Sequence, residues 1–510
     1  MSKTIDIFPV NRVEGDLEIR VELEDNVITE ARSVGTMYRG FENILIGRSA
    51  LDGLVITPRI CGICTTAHLL AAAKALDMFY HVSIPDTARR IRNIAMGVEK
   101  LQNDMRHSIL MFMCDFANPA YRPHSLYEEA AARYTPLQGT GGRRAALESA
   151  RIIEIIAILG GQWPHSSFMV PGGVVSAPKS ADIIQCRYLL SDYRNWYEKE
   201  VLGCRLEQWS AVKNAADLEQ WLESSENHRK SELGFFIRFA REAALDELGR
   251  GHGNFISFGS MEMPEQTEIL PMGKGGTFLP SGFLTGESTE DFDQEKISED
   301  LACSWFRDAE SPLHPFEGMT VPYATGREGE KYTWAKAPRY AGLPAETGPL
   351  AELLIARHPL LTDLHRQKGS SVLLRQMARI IRPAVLIPVL DQWLKEIVGE
   401  RELFFRNYQE RNYGKGFGLT EASRGALGHW IRIKNEKIEK YQIITPTAWN
   451  ASPRDGKGIR GVWEEALIGT SVKDRENPVE VGHIIRSFDA CLVCTVHAVG
   501  VSENIPCFRC

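Results

Sequence analysis

The residues best suited to chemistry in this chain are two pairs of cysteines, one near each end. The first pair lies in Arg59-Ile-Cys61-Gly-Ile-Cys64-Thr-Thr-Ala-His68, and the second lies in Asp489-Ala-Cys491-Leu-Val-Cys494-Thr-Val-His497. Both pairs have the Cys-x-x-Cys spacing, and a histidine follows each of them. Four soft donors in two matched pairs indicate one tetrathiolate metal site.

Three interpretations of these pairs are open: a catalytic soft-metal centre, a structural zinc site and two separate redox dithiols. Zinc ribbons usually separate their pairs by about 15–20 residues, whereas here most of the chain lies between Cys64 and Cys491. A site that joins the two ends of a large chain does not stabilise one short segment, as a structural zinc site usually does. The spacing therefore favours a buried active centre and leaves the other two interpretations open.

The elements that must position the cysteines are mainly helical. After Pro58 the chain becomes dense in Ala and Leu, which predicts a helix that begins near Cys64. Gly62 is expected to allow a tight backbone turn, and the helix-terminal amides and dipole are expected to favour thiolate over thiol. His68 lies four residues after Cys64, so we expect it to face the same sulfur from behind the metal ligands.

The remaining elements follow from hydrophobic periodicity. Apolar and charged residues alternate over Leu17–Leu23, which predicts a strand near the N-terminus. Residues 249–344 are rich in Gly, Pro and aromatic residues, which predicts short strands and loops inserted into a helical body. The glycines of Gly414–Gly418 are interpreted as a loop. Helices are predicted over Thr87–Phe116, Arg143–Leu159, Ala181–Val201, Leu218–Leu248, Leu350–Ala356 and Ser370–Phe405. The predicted fold class is α+β and predominantly helical, in one large unit.

Composition excludes several classes of protein. The 510 residues are 44% hydrophobic and 25% charged with a net charge of -7, so disorder, nucleic-acid binding and an anionic lipid surface have no support. No apolar run approaches the roughly 20 residues of a membrane span. The N-terminus shows no export signal, so we expect a cytoplasmic chain unless a partner subunit carries the export signal. P-loop, zincin and serine-hydrolase motifs are absent.

The two cysteine motifs together resemble the signature of the large subunit of nickel-iron hydrogenases, and most closely its cytoplasmic uptake or hydrogen-sensing members. Other segments resemble this family along most of the chain, least so over roughly 204–325. They are Asn11–Gly15, Tyr38–Glu42, Pro171–Gly173, Lys336–Tyr340, Glu346–Leu350, Glu421–Trp430 and Thr445–Asn450. The implied fold is that of a hydrogenase large subunit. The implied activity is cleavage of H2 to two protons and two electrons, with a hydrogen-sensing subunit as the alternative.

The resemblance also implies a role for each cysteine of the two motifs. Cys61 and Cys491 would be terminal thiolates on nickel. Cys64 and Cys494 would bridge nickel to an iron that carries cyanide and carbon monoxide. Terminal Cys491 would be the first base, because splitting H2 needs a group that takes the proton. Glu14 would then pass that proton outward, and Asp115 is the next candidate for this relay.

Further roles follow from the same resemblance. Arg424 would lie over the metals, and its plainer alternative is a buried ion pair with Asp115 or Asp489. Asp489 could also serve only as the N-cap of a following helix. Glu42 and His497 would bind a hard cation, usually magnesium.

The chain departs from the family at three positions. Ser423 precedes Arg424 where proline is usual, Ala490 replaces the proline common between Asp489 and Cys491, and Asp16 stands where many members carry histidine. Ser423 and Ala490 are expected to touch the polar surroundings that tune the cofactor. We therefore expect oxygen tolerance and catalytic bias to depend on them.

Electrons must leave through a partner, because the cysteines outside the two motifs do not form a set for iron-sulfur clusters. The resemblance identifies this partner as an iron-sulfur small subunit, with heterodimers that could assemble further. It also implies maturation proteins and an endoprotease that removes the extension 498–510 once nickel is bound. The mature unit would then be residues 1–497. The extension contains a third pair, Cys507 and Cys510, which is interpreted as incidental.

Overall fold

A computed structural model describes residues 3–8, 10–13, 15–307, 312–326, 329–399 and 402–491. Four of the predicted features lie outside these described residues, namely Glu14, Cys494, His497 and the extension 498–510. In the part that is described, no helix is long and apolar enough to cross a bilayer.

The helices occur throughout the chain and form most of its core. They are α1 Phe41–Leu45, α2 Gly53–Ile56, α3 Thr65–Phe79, α4 Asp86–Met105, α5 Tyr127–Tyr134, α6 Thr140–Ile152, α7 Glu154–Gly160, α8 Ser180–Trp196, α9 Leu206–Trp209, α10 Ala215–Ser224, α11 Glu226–Lys230, α12 Glu232–Glu242, α13 Pro349–Ile355, α14 Pro359–Lys368, α15 Val372–Glu396, α16 Pro446–Asn450, α17 Val462–Leu467 and α18 Val479–Ser487. A π-helical segment, Arg106–Phe112, and a 3₁₀ segment, Met113–Ala117, continue α4.

The strands form small antiparallel sheets around this helical core. They are β1 Lys3–Ile7, β2 Leu17–Glu24, β3 Val27–Gly35, β4 Met169–Val170, β5 Gly173–Val174, β6 Asn254–Glu262, β7 Thr277–Thr285, β8 Ser288–Glu290, β9 Ile297–Asp300, β10 Ala337–Tyr340, β11 Tyr413–Ala422, β12 Gly425–Lys434 and β13 Lys437–Ile444. The sheets have the orders β1-β2-β3, β4-β5, β6-β7-β8, β10-β9 and β11-β12-β13. Most predicted strands are confirmed, at the N-terminus and in the middle insert.

The core is built around α4 and α15, which pack against each other. Helix α4 is buried without interruption from Arg90 to Met105, so its charged side chains must find partners inside the protein. Arg382 on α15 donates to Asp104 at 2.7 Å and to Glu352 at 2.9 Å. The largest connected cluster of buried apolar residues extends from Val10 to Cys491, and two smaller clusters are separate from it. That residues 1–497 form a single unit stays a prediction. The proposed end of that unit at residue 497 lies outside the described residues.

Two predicted helices are shorter than the sequence suggested. The stretch Leu218–Leu248 is divided into α10, α11 and α12, because Ser225 and Ser231 turn the chain and cap the next helix with their side chains. The helix predicted over Ser370–Phe405 ends at Glu396, since the next residue is extended and Gly399 has a φ of 121°. The other predicted helices are confirmed, although Arg143–Leu159 is interrupted between α6 and α7.

The interpretation of Gly414–Gly418 as a loop is wrong. These residues belong to β11, in a three-stranded sheet that lies outside both regions where strands were expected. Glycine weakens a strand but permits close approach of another backbone. A Cβ on Gly416 or Gly418 would lie closer than 3.0 Å to backbone atoms of α3. The glycines therefore let α3 rest directly on β11.

Candidate metal centre

The structure brings together the three described cysteines of the two motifs. The ligand atoms of Cys61, Cys64 and Cys491 all lie within 4.8 Å of one another, and all three residues are buried. The Sγ atoms of Cys61 and Cys491 are 3.5 Å apart. The hypothesis of two separate redox dithiols is wrong, because the first pair meets a cysteine of the second. Cys494 lies outside the described residues.

The first pair lies between a 3₁₀ turn, Thr57–Arg59, and the start of α3, where Cys64 is the N-cap residue. The amide of Ile63 donates to the Sγ of Cys61 at 3.3 Å, which favours the thiolate. Gly62 does not have the role predicted for it. Its φ is not in the left-handed region, and an added Cβ would meet nothing within 4 Å.

The first-turn amides of α3 donate to a carboxylate that the sequence did not reveal. Thr66 N donates to Glu99 Oε2 at 2.8 Å, and Ala67 N donates to Glu99 Oε1 at 3.2 Å. Burial raises the pKa of Glu99 to about 7, with these hydrogen bonds opposing the shift and Cys61 adding to it. Glu99 therefore holds the helix that begins at Cys64 against α4.

Cys491 is positioned from the opposite end of the chain. Helix α18 ends at Ser487, and Asp489 turns the backbone with a φ of 60°. The amide of Cys491 then donates to the hydroxyl of Thr447, on α16, at 3.1 Å. Cys491 is thus positioned by a turn and by a hydrogen bond to a neighbouring helix.

Arg424 lies at the turn of the β11-β12 hairpin, in a position set by the packing of α3 on β11. Ala75 lies against Gly416 and Ala71 against Gly418, so helix and strand run in opposite directions. The first residues of α3 and the last residues of β11 therefore lie at the same end. Cys64 and Arg424 are brought near each other by this one contact.

The partner of Arg424 is Asp489, not Asp115. Arg424 Nε donates to Asp489 Oδ1 at 2.9 Å, and Asn103 Nδ2 donates to Asp489 Oδ2 at 2.7 Å. Burial alone would raise the pKa of Asp489, but Arg424, His107 and Arg379 hold it well below its usual range. Both oxygens of Asp489 thus bind other side chains. A helix after Cys491, which Asp489 was suggested to cap, lies outside the described residues.

The electrostatics of Arg424 connect it to the sulfurs. Burial alone would lower its pKa, but Asp489 and the sulfurs of Cys491, Cys64 and Cys61 raise it well above its usual value. Its Nη1 atom is buried and has no hydrogen-bond partner within the described ranges. A buried cation with a free donor beside three thiols fits an anionic thiolate metal centre.

Two other predicted neighbours lie behind this centre. The Nδ1 atom of His68 is 3.1 Å from Nε2 of His429. Burial lowers the pKa of His68 to about 4. The cysteine that opposes this shift is Cys61, whereas the sequence had suggested that His68 faces Cys64. Ser423 Oγ donates to the carbonyl of Glu99 at 3.2 Å. The carbonyl of Ser423 accepts from Arg382 at 2.7 Å. Ser423 therefore ties the hairpin turn to α4 and α15.

Glu42 lies in a separate buried polar cluster. Its Oε1 accepts from the amide of Ile443 at 2.9 Å, and its Oε2 is 3.1 Å from the ammonium of Lys336 and accepts from the hydroxyl of Thr320. Glu299 is 3.5 Å from the same ammonium. Two buried carboxylates around a cation are hard donors that suit a divalent ion. The predicted second ligand, His497, lies outside the described residues.

The chain is similar to known proteins along almost its whole length. The family model described as nickel-dependent hydrogenase matches residues 39–128 and 145–497. The periplasmic [NiFeSe] hydrogenase large subunit of Desulfomicrobium baculatum is 32% identical over 97% of this chain and 95% of its own. The hydrogenase-2 large chain of Escherichia coli K12 is 28% identical over 99% of both chains. The uptake hydrogenase large subunit of Rhodobacter capsulatus is 28% identical over 99% of this chain and 96% of its own.

Solved structures give the same answer for the fold. The H2-activated [NiFeSe] hydrogenase of Desulfomicrobium baculatum superposes with a TM-score of 0.83 at 29% identity, covering 98% of this chain and 100% of that one. The predicted resemblance to hydrogenase large subunits and the α+β fold class are confirmed, whereas the closer resemblance to cytoplasmic or hydrogen-sensing members is not. These relatives are named as hydrogenase large subunits, which does not favour the hydrogen-sensing alternative. The chain is a hydrogenase large subunit and belongs to the nickel-dependent hydrogenase family.

Proposed function

We propose that this chain cleaves H2 heterolytically at a nickel-iron centre held by Cys61, Cys64, Cys491 and Cys494. The observation that carries the proposal is the convergence of three buried thiols from both ends of the chain. Cys61 and Cys491 would be ligands of nickel alone, Cys64 and Cys494 would be ligands of both nickel and iron, and cyanide and carbon monoxide would complete the coordination of the iron. When bound, the centre supplies a Lewis-acid pair that polarises H2.

The protein's own groups take the proton and stabilise the charge. The thiolate of Cys491 is the first base, and Glu14 is the carboxylate that carries the proton onward. The Nη1 atom of Arg424, which has no hydrogen-bond partner among the described residues, would donate to the charge that gathers at the sulfurs, and Asp489 holds the guanidinium through Nε. Ser423 and Glu99 keep the hairpin turn and the start of α3 in fixed relation.

Metal analysis tests this proposal directly. We expect nickel and iron near one equivalent each in the purified complex, and zinc alone would refute the proposal. Cys64→Ser should lose nickel, because it removes a bridging thiolate. The matched control is Cys186→Ser, which changes a buried cysteine on α8 outside the site and should keep full nickel.

Glu42 and His497 are proposed to bind magnesium near the C-terminus. The support is that Glu42 and Glu299 place two buried carboxylates in one cluster, so one negative charge remains after Lys336 balances the other. We further propose that maturation proteins load the metals and that an endoprotease then removes residues 498–510. A mature chain that ends at His497 by intact-mass measurement would support this step, and a full-length active chain would contradict it.

An iron-sulfur small subunit is the proposed electron partner. Its docking face is proposed on residues 41–56, directly before the first cysteine pair. Four large apolar side chains are exposed there although apolar residues usually pack inside: Ile44 36%, Ile46 51%, Leu51 42% and Val55 45%. A partner on this face would lie close to Cys61 and Cys64, where electrons must leave.

Val55→Asp is expected to weaken association with the small subunit by at least about tenfold, because a charge would be buried without a partner. Co-purification and titration of the two subunits measure this loss. Leu270→Asp is the control, since Leu270 is 83% exposed in the middle insert and should not change association. Equal binding by Val55→Asp and the wild-type chain would place the partner elsewhere.

A further inference from the structure

A row of ionisable side chains extends from the buried carboxylate of Asp115 to a carboxylate at the surface. Its members are Asp115, His483, Tyr121, His124 and Glu242. The side chains of Asp115 and His483 are 4% and 0% exposed, whereas those of His124 and Glu242 are 18% and 32% exposed. The row thus leads from the interior to solvent.

Successive members of the row are close to one another. His483 Nδ1 is 3.9 Å from Asp115 Oδ2, and His483 Nε2 is 2.7 Å from the hydroxyl of Tyr121. The rings of Tyr121 and His124 meet edge to face with centroids 5.0 Å apart. His124 Nδ1 is 3.8 Å from Glu242 Oε1. A small side-chain movement would close the separations of 3.9 and 3.8 Å, whereas a bridging water is needed to join the Tyr121 hydroxyl to the His124 ring.

In both histidines of the row, the ring nitrogen nearest to a carboxylate makes no hydrogen bond with the described residues. The Nδ1 atoms of His483 and His124 are buried and have no hydrogen-bond partner among the described residues. A buried polar atom without a partner is costly, so each needs an explanation. Each nitrogen lies just beyond hydrogen-bond distance of a carboxylate oxygen, so a small side-chain movement would bring the two into contact.

The charges around the inner end suit this exchange. Asp115 is bound by Arg12 and by Arg486 Nε at 2.7 Å. Burial would raise the pKa of Asp115, but Arg486, His483 and Arg12 lower it, so the carboxylate stays charged. Burial lowers the pKa of His483 to about 4, against the effect of Asp115 and with the two arginines. His483 is therefore a neutral imidazole, with one nitrogen to donate and one to accept.

The inner end also lies near the proposed chemistry. Arg12 precedes Glu14 by two positions, and α18 carries both His483 and Arg486 before the chain reaches Cys491. Cys491 follows Arg486 by five positions, so their Cα atoms are at most about 18 Å apart.

We propose that Asp115, His483, Tyr121, His124 and Glu242 form a proton exit route, an inference that rests on the function proposed above. A proton that enters at His483 Nδ1 releases the proton on Nε2 to the Tyr121 oxygen. The Tyr121 hydroxyl proton moves through a bridging water to His124, a proton on His124 Nδ1 moves to Glu242, and Glu242 releases one proton to water. Each transfer moves one proton and no electrons, so the two protons from H2 leave in turn.

The first test is Tyr121→Phe in the nickel-loaded complex with its partner subunit. It removes the hydroxyl and keeps the ring that packs on Phe239 and His483. We expect H2-dependent reduction of a viologen dye to fall at least about tenfold and the rate ratio between H2O and D2O to change. Tyr134→Phe is the control: Tyr134 packs in the same aromatic cluster, but its hydroxyl binds Glu232 outside the row.

The second test is His124→Ala with and without added imidazole. His124 is close enough to the surface for a small base to reach, so imidazole should restore the rate if His124 only carries protons. A packing role would give no such rescue and no solvent isotope effect.

A third variant, Glu14→Gln, separates the exit route from the proposed function. Normal turnover in Tyr121→Phe and His124→Ala, with Glu14→Gln inactive, would overturn the route and leave the function standing. A nickel-loaded wild-type complex without H2 turnover would overturn the function itself.

Discussion

Arg424→Lys is expected to lower H2 turnover by about two to three orders of magnitude while the complex keeps its nickel. Lysine preserves the positive charge but presents a single ammonium in place of a planar group with several donors. The Nε bond to Asp489 and the free Nη1 donor cannot both be replaced. Loss of one preorganised donor at a developing charge typically costs about 10²–10³ in rate.

The control for this variant lies on the strand that follows the same turn. Arg432, on β12, donates to Glu317 at 2.7 Å and is partly exposed, so Arg432→Lys should leave turnover unchanged. Dye reduction under H2 gives the rate, and metal analysis shows whether nickel remains. Near-normal turnover by Arg424→Lys would mean that charge alone, without guanidinium geometry, is sufficient at this position.

The buried charges around Asp489 explain why removal of any one of its ion-pair partners is expected to destabilise the protein. Asp489 is surrounded by Arg424 at 2.9 Å, His107 at 3.7 Å and Arg379 at 3.9 Å. Removing one member of a buried ion pair leaves the other charge uncompensated and commonly costs about 3–5 kcal/mol. Lysine is therefore a better test of chemistry than alanine, because it keeps the charge balance around Asp489.

The sequence was most informative where a motif specifies chemistry. The Cys-x-x-Cys pairs identify donors by residue type and spacing alone, and the alternation over Leu17–Leu23 correctly predicts β2. Glu99 could not be found in this way. Helix α4 carries its charged residues on one side and most of its apolar residues on the other, which resembles a helix with one solvated face, yet Arg90–Met105 is buried on all sides. Only the tertiary contacts show that Glu99 binds the start of α3.

The sheet β11-β12-β13 was missed for a related reason. Glycine is disfavoured in strands, so local propensity argues for a loop at residues 414–418. The contact with α3 overrides that preference, because close packing of two backbones leaves no space for side chains. The placement of Arg424 relative to Cys64 depends on this contact, and neither cysteine motif contains any sign of it.

Gly418→Ala is expected to cause the largest loss of stability among these variants. The new Cβ would lie closer than 3.0 Å to the carbonyl of Ala71 and the amide of Ala75. Both are backbone atoms inside α3, so no side chain can move aside to make room. Overpacking of this kind costs about 3 kcal/mol. Relief requires α3 and β11 to separate, which would move Cys64 away from Arg424.

The measurement is thermal unfolding together with nickel content. We expect Gly418→Ala to melt well below the wild-type complex and to incorporate little nickel, because α3 can no longer hold Cys64 in place. Gly276→Ala is the matched control, since an added Cβ there meets nothing within 4 Å. If Gly418→Ala matched this control in both measurements, the contact between α3 and β11 could accommodate an added Cβ. The closeness of the two backbones would then not be what positions the first cysteine pair.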